Sequence, residues 1–484
     1  MNALLEPPAL PVPLGLPLVV DLDGTLIRGD LLHESALKLL REQPAAAVLM
    51  PVWLLRGKAA LKDEIAARVG IEAATQPYHL DLLEWLRAQH EAGRRLVLCT
   101  ASNERYARQV AEHLGLFDEV IGSTGSDNIS ARRKAEILVE RFGDKGFDYA
   151  GNSSDDLHVW THSQEAIVVN APPRVATAAL RQFKVAKTFP GQPSSWRTWL
   201  RAIRLHQWLK NLLVLVPLVG AFQVGNIPLL QAALMAFLAF GLCASAVYVL
   251  NDLMDLESDR EHPRKRLRPF AAGVLSPVAG LATAALLLLF SAALAAASRP
   301  AFQLALASYF LLTLAYTFFL KRKVIVDCIT LGTLYTLRII AGCAAAGLAA
   351  SFWLLAFSLF LFLSLAFVKR FSELQAVVKA SRIDAAGRGY LASDLPLVQS
   401  MGVSAGFCSA MLLALYINGD VAVRTYSHPE VLWMMVPILL YWVSRMWMQA
   451  QRGNMHDDPV VFAVRDPVSL VCGLLFGLTL AASR

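Results

Sequence analysis

Residues Asn251-Asp-Leu-Met-Asp-Leu-Glu-Ser-Asp-Arg-Glu-His-Pro-Arg-Lys-Arg-Leu-Arg-Pro-Phe270 run from three aspartates straight into five bases. Asp252, Asp255 and Asp259 close an apolar stretch, and Arg260, Arg264, Lys265, Arg266 and Arg268 follow. Asn251, Asp255 and Asp259 recur every four residues, so on a helix they drift by only about 40° per step, with Asp252 on the same side. One helix face thus carries a cluster of oxygen ligands. Such a set suits Mg²⁺, which prefers one or two carboxylates plus substrate phosphates, and the cations beyond suit phosphate oxygens. The stretch predicts a Mg²⁺-diphosphate site at a membrane surface.

The membrane follows from composition. Of the 484 residues, 56% are hydrophobic, and the mean hydropathy of +0.46 is too high for a soluble pair of domains. The apolar residues concentrate after residue 205, which divides the chain into a soluble front and a membrane-embedded back. Nine apolar segments approach spanning length: 208–224, 228–250, 277–297, 301–320, 324–347, 351–368, 397–417, 429–447 and 466–482. Loops after the second, fourth, sixth and eighth carry the basic residues, while those on the other side are short and nearly uncharged. By the positive-inside rule the front domain and the aspartate loop both lie on the cytoplasmic side of the inner (cell) membrane. The net charge of +7 is therefore a matter of topology, and no nucleic-acid partner is expected. Six scattered cysteines indicate neither disulfides nor zinc. The N-terminus lacks a basic region and is broken by prolines, unlike a signal peptide.

In the front, Leu18 to Leu22 reads as a buried parallel strand opening into Asp21-Leu-Asp-Gly-Thr25. Arg95 to Cys99 and Phe147 to Ala150 read as further strands. Thr100-Ala-Ser102 follows the second strand, Lys134 lies on a helix, and Gly151-Asn-Ser-Ser-Asp-Asp156 follows the third. Four motifs in this order resemble the haloacid dehalogenase superfamily of phosphatases. The resemblance implies a Rossmann-like α/β fold with a helical cap, at about residues 28–90 of a domain spanning 15–185. It makes Asp21 the nucleophile and Asp23 the general acid/base. Thr100 and Ser102 would hold the phosphoryl group, and Lys134 would neutralise it. Asp21, Asp23, Asn152, Asp155 and Asp156 would hold Mg²⁺, Asp156 ahead of Asp155. Asn152 stands where an aspartate is more common, which lowers the charge of that set.

A turn-rich linker at 186–200 leads to the back domain, 201–484. Polar residues within or beside apolar spans are costly and usually face a cavity. Lys210 and Asn211 begin the first span, Tyr316 and Lys321 end the fourth, and Asp327 and Arg338 lie within the fifth. Lys369, Arg370 and Glu373 follow the sixth. Asp327 and Arg338, three turns apart on one helix, are expected to line one polar pocket.

The aspartate motif after the second of nine spans resembles the UbiA superfamily of membrane prenyltransferases, all-α enzymes that bind a prenyl diphosphate through Mg²⁺ between two acidic motifs. Here the second motif is reduced to Asp327. Arg204 to Asn211, His262 to Pro269, Phe367 to Glu373, Gly387 to Tyr390 and Asp457 to Phe462 resemble one branch, the decaprenyl-phosphate phosphoribosyltransferases. That resemblance implies transfer of phosphoribose from phosphoribosyl pyrophosphate to a polyprenyl phosphate. Asn251, Asp252, Asp255 and Asp259 would then hold Mg²⁺ and the pyrophosphate. Lys210, Asn211, Arg260, Lys265, Arg266, Lys321, Arg338 and Lys369 are the candidates for phosphates, and Tyr316, Asp327, Arg370 and Glu373 for the rest of the pocket. The front domain would remove the 5-phosphate of the product. The alternatives are a conventional prenyltransferase with an aromatic acceptor, and a non-enzymatic transporter or scaffold. An oligomer is compatible with all three.

Overall fold

The computed structural model describes residues 15–125, 127–192, 194–379, 389–455 and 458–484. The amino-terminal stretch and, of the motifs above, Gly387, Arg388 and Asp457 lie outside these residues. The chain forms two compact units, one of residues through Ala202 with Val249–Ala282, the other of Ile203–Tyr248 with Thr283–Arg484.

The first unit is built on a six-stranded, all-parallel sheet in the order β3-β2-β1-β4-β5-β6. The strands are β1 Leu18–Val20, β2 Leu96–Asn103, β3 Glu119–Ser123, β4 Asp148–Gly151, β5 Ala166–Val169 and β6 Val185–Phe189. Leu18, Val19 and Val20 are wholly buried. Leu18 and Val20 pack with Leu31, Leu82, Leu86 and Tyr106 on one face, Val19 with Leu138, Val159 and Trp160 on the other. A parallel strand covered on both faces by helices requires this continuous apolar run. The sheet continues through Phe189, so the first residues assigned to the linker are its edge strand.

Between β1 and β2 come α1 (Leu31–Glu42), α2 (Pro44–Ala47), α3 (Met50–Leu55), α4 (Lys58–Ala66) and α5 (Leu80–Glu91). Leu39, Ala47, Trp53, Ile65 and Val69 form a small core of their own, so α1 to α4 are a separate helical layer where the cap was expected. Helix α5 instead buries Leu82, Leu83 and Leu86 against the sheet. The cap therefore ends earlier than residue 90, because α5 presents its apolar face to the β-sheet core. Helices α6 (Glu104–Leu114), α7 (Ala131–Phe142), α8 (Asp156–Trp160) and α9 (Pro173–Gln182) complete this part.

The second unit is helical. Seven helices are long and apolar enough to cross a membrane among the described residues: Ile227–Met254, Pro277–Ala296, Pro300–Phe318, Val326–Ala346, Phe352–Lys379, Ala392–Ile417 and Pro429–Gln451. The pair Pro459–Arg465 and Pro467–Ala482, bent by 83°, makes an eighth if counted as one span. Asp466 ends one helix of this pair and caps the next through the Ser469 N–H, with Pro467 opening it.

The segment 208–224, expected to be the first of nine spans, is instead a 3₁₀ helix, Leu205–Leu215, and a five-residue α-helix, Val216–Gly220. Arg204 enters it in a left-handed conformation, φ 52°. Pro217, with no N–H to donate, starts the second piece rather than continuing the first.

Candidate active sites

In the front domain, β1 delivers Asp21 to the carboxyl end of the sheet, between β2 and β4, where chain order reverses and such sheets bind ligands. The Asp21 N–H donates to the Ala150 carbonyl at 3.0 Å. Its carboxylate accepts from Lys134 Nζ at 2.7 Å, which also donates to Tyr149 Oη at 2.9 Å. Tyr149 in turn donates to Asp156 Oδ1 at 2.8 Å. The other Asp156 oxygen accepts the N–H groups of Asn152 and Ser153 and the Ser153 hydroxyl, at 2.8–2.9 Å. Asp156 thus organises the loop after β4, and Asp155 is exposed. The Asn152 amide oxygen of that loop accepts from the Thr25 hydroxyl of the first motif at 3.3 Å. Gly24 has φ +76°, and a β-carbon there would collide with Asn152, so both conformation and space demand glycine.

Asp23 accepts from the Leu31 N–H at 2.8 Å, from the Ser102 hydroxyl at 2.5 Å and from Thr100 Oγ1 at 3.5 Å. The two hydroxyls expected to hold a phosphoryl group are turned onto Asp23, because β2 runs beside β1 and places them at hydrogen-bonding range of it. Burial pushes the Asp21 carboxyl up to about 6, with Lys134 opposing and Asp156 adding to the rise. Burial, followed by the nearby Asp30, pushes Asp23 up to about 7. Near neutral pH Asp23 exists in both protonation states, which suits an acid that later acts as a base.

In the same unit, Arg268 bridges two buried aspartates, with Nη1 3.1 Å from Asp252 Oδ1 and 2.5 Å from Asp259 Oδ2. Lys265 Nζ lies 3.9 Å from Asp259, and Arg266 is exposed. Asn251 and Asp255 are half-buried on the same turn, and the Asp255 N–H donates to the Asn251 carbonyl at 3.0 Å. Burial raises the Asp259 carboxyl, with Arg268 opposing.

Arg260 departs from its expected role. Its Nη atoms make a bidentate pair with Glu34 at 2.7 and 2.8 Å, and Nε donates to the Ala271 carbonyl at 3.0 Å. All three nitrogens are engaged by the cap and the loop itself, which removes Arg260 from the phosphate-binding set. Lys38 pairs with Glu257 at 2.7 Å, and Arg41 donates to the Met254 carbonyl at 3.0 Å. One face of α1 therefore holds the aspartate loop. Glu34→Gln removes the carboxylate from a guanidinium that is 4% exposed. The expected cost is about 3 kcal/mol, seen as a lower apparent Tm of the purified protein. An unchanged Tm would mean that Arg260 is satisfied without Glu34.

The helical unit holds two separate polar networks. In one, Asp458 accepts from Lys210 Nζ at 2.6 Å, Lys369 Nζ at 3.4 Å and Tyr335 Oη at 3.1 Å. Burial alone would raise the Asp458 carboxyl, but Lys210 and Lys369 hold it well below the usual range. Arg338 donates to Asn211 Oδ1 at 2.9 Å, to Tyr309 Oη at 3.0 Å and to the Leu334 carbonyl at 2.7 Å. In the other network, Asp327 pairs with Arg370 at 2.5 Å and accepts from Tyr390 Oη at 2.6 Å, and Arg370 also pairs with Glu373. Asp327 and Arg338 were expected in one pocket. Three helical turns separate them along the axis, so each meets different neighbours. Tyr316 and Lys321 are half-buried at the end of Pro300–Phe318 and in the 3₁₀ turn beyond it.

Residues 213–464 match the model of the UbiA prenyltransferase family. The chain belongs to the UbiA prenyltransferase family. Residues 18–159 match the haloacid dehalogenase-like hydrolases, so a phosphatase-type domain is fused in front of the UbiA domain. With seven or eight apolar helices among its described residues, this UbiA protein is a multi-pass membrane protein. A protein of Sinorhizobium fredii, y4nM, is 36% identical over 95% of this chain and 89% of its own. Nodulation protein NoeC of Azorhizobium caulinodans is 38% identical over 58% of this chain and 92% of its own. The decaprenyl-phosphate phosphoribosyltransferase of Mycobacterium tuberculosis is 33% identical over 59% of this chain and 93% of its own.

Sequence reasoning did not single out Asp458, Tyr335, Tyr149, Arg268 as an aspartate clamp, or Glu34. Asp458 had a signal, since it lies in the Asp457 to Phe462 stretch that carries the family resemblance. Glu34 had none, because its partner in the UbiA loop is 226 residues away.

Among the described residues no three His, Cys, Asp or Glu side chains converge as a metal site. The donors do fit Mg²⁺ chemically. Asp21 and the Asn152 amide in front, and Asn251 and the aspartates of the UbiA loop, are hard oxygen ligands, with phosphate oxygens of a substrate to complete the shell.

Proposed function

We propose that this protein transfers phosphoribose from phosphoribosyl pyrophosphate to a polyprenyl phosphate and then removes the 5-phosphate, leaving polyprenyl-phosphoryl-ribose. The observation that carries this reading over a conventional prenyltransferase is the state of Asp327. It is the one acid in the fifth apolar segment, and it is wholly buried in an ion pair with Arg370. That segment offers a single carboxylate, against three aspartates in the loop at 251–268. The two lysines, Lys210 and Lys369, suit a substrate with a further phosphate group, whereas Arg338 has all three nitrogens engaged within the fold. Similarity to the mycobacterial phosphoribosyltransferase supports the same reading.

In the transfer, an oxygen of the polyprenyl phosphate attacks the anomeric carbon as the bond to pyrophosphate breaks. The nucleophile is already anionic, so the chain supplies no strong base. Lys210 and Lys369 orient phosphate oxygens, and Asp458 holds both ammonium groups in place. Mg²⁺ on Asn251, Asp252, Asp255 and Asp259 would neutralise charge on the departing pyrophosphate. In the front domain, Asp21 attacks phosphorus, and Asp23 protonates the ribose 5-oxygen as it leaves. Asp23 then takes a proton from the water that releases phosphate from Asp21. Lys134 keeps the Asp21 carboxylate oriented throughout. Both sites are assigned to the cytoplasmic side.

The test is mass spectrometry of lipids after the purified protein is incubated with Mg²⁺, polyprenyl phosphate and phosphoribosyl pyrophosphate. The expected product is the polyprenyl-phosphoryl-ribose mass. An unmodified lipid, together with consumption of a prenyl diphosphate in the presence of an aromatic acceptor, would replace this reading with the conventional one.

A further inference from the structure

The cap carries an apolar surface that its own core does not use. Residues 44–55, Pro-Ala-Ala-Ala-Val-Leu-Met-Pro-Val-Trp-Leu-Leu, contain no polar side chain. Trp53 and Ala47 turn inward onto Leu39, Ile65 and Val69. The outer face is just as apolar, with Val48 74%, Val52 52%, Leu54 50% and Leu55 89% exposed. A helix on a soluble domain places polar residues on that side, whereas one that is apolar all round is buried or meets lipid. Contiguous exposed patches of this kind mark interaction sites.

The contacts of α1 indicate what the patch meets. Going along α1, Glu34 holds Arg260, Lys38 holds Glu257, and Arg41 holds the carbonyl of Met254. The helix thus runs antiparallel to its partner segment and ends beside Met254, the last residue of the apolar helix Ile227–Met254. Met254 lies in the same compact unit as α1, and the helix that it closes is long enough to cross a bilayer. The apolar stretch begins two residues after α1 ends. Arg56 and Lys58, both exposed, follow it directly and suit anionic headgroups.

We propose that Pro44–Leu55 is a membrane-interface anchor of the cap, its outer face of Val48, Leu49, Val52, Leu54 and Leu55 seated at the headgroup–acyl boundary. The anchor brings the front site to a substrate that stays in the lipid surface. Only this consequence, not the anchor, rests on the lipid-linked substrate proposed above.

Two readouts on the full-length protein in nanodiscs of phosphatidylethanolamine and phosphatidylglycerol test it. The first places a nitroxide at Leu55→Cys and compares its collisions with oxygen and with a water-soluble nickel chelate, using the unsubstituted chain to subtract labelling of natural cysteines. Preferential collision with oxygen supports the anchor, with Asp144→Cys remaining in water as a control. Preferential collision with nickel overturns it. Dipolar broadening from a second label overturns it in favour of a second copy of the chain on this face.

The second readout is the pair Val52→Glu and Leu55→Glu in one chain. Turnover of a small soluble phosphate monoester should stay within twofold, while kcat/KM on a vesicle-borne lipid phosphomonoester should fall about tenfold, chiefly through KM. Equal effects on both substrates, or none, would count against the anchor. If the natural chain dephosphorylates no lipid, the proposed function fails, and the nitroxide still decides the anchor.

Discussion

Asp21→Asn should leave phosphoribose transfer intact and stop the reaction at the 5-phosphate, with phosphate release reduced by about 10⁴-fold, the order of loss when a nucleophile is removed. The substitution preserves shape. Asp21 is 7% exposed, and its backbone N–H is pinned to Ala150, so an amide of the same size keeps the β1 loop in place. It lacks the nucleophilic carboxylate, and its interaction with Lys134 weakens from an ion pair to a neutral contact. Mass spectrometry of the lipid product would show the 5-phosphate accumulating while phosphoribosyl pyrophosphate is consumed as before. Phosphate release within tenfold of the natural chain would remove Asp21 from the nucleophile's role. An equal loss of transfer would mean that the two reactions are not separable in this way.

Asp252→Ala should have the opposite pattern. Transfer should fall by about 10²–10³-fold, the loss typical when one group stabilising developing charge is removed, while hydrolysis of a small soluble phosphate ester stays within twofold. Asp252 is 2% exposed and shares Arg268 with Asp259. Its removal leaves Arg268 with one carboxylate, so the loop keeps a clamp while the oxygen cluster loses a member. Chelation of divalent ions should abolish both activities in the natural chain, and added Mg²⁺ should restore them. Transfer that survives Asp252→Ala and chelation together would place the diphosphate elsewhere than on the loop at 251–268.

Much of the local structure of this chain was legible from its sequence. An apolar run into Asp21-Leu-Asp-Gly-Thr25 specifies a buried strand and a tight loop, because burial and glycine's conformational freedom act on neighbouring residues. Lys134 beside Asp21 was expected from the order of the motifs, whereas the single helix face expected for Asn251, Asp255 and Asp259 is interrupted: one helix ends at Met254, and Asp255 caps a separate one, Leu256–Glu261. Runs of apolar residues likewise marked the membrane helices, since spanning is a matter of length and composition.

Tertiary structure decided which charges meet. Arg260 is a phosphate ligand by its neighbours in sequence and a cap ligand by its contact with Glu34. Asp327 and Arg338 share a helix but belong to different networks, because the helices packed around each turn supply the partners. Lys210 meets Asp458 across 248 residues, a pairing that no periodicity encodes. The segment 208–224 has the composition of a span but breaks at Pro217 into a 3₁₀ stretch and a short helix, with Lys210 and Asn211 turned inward to partners. Hydropathy and spacing act along the chain and can be read there; the compensation of a buried charge depends on whatever the fold brings within about 3 Å, and that is known only once the elements have packed.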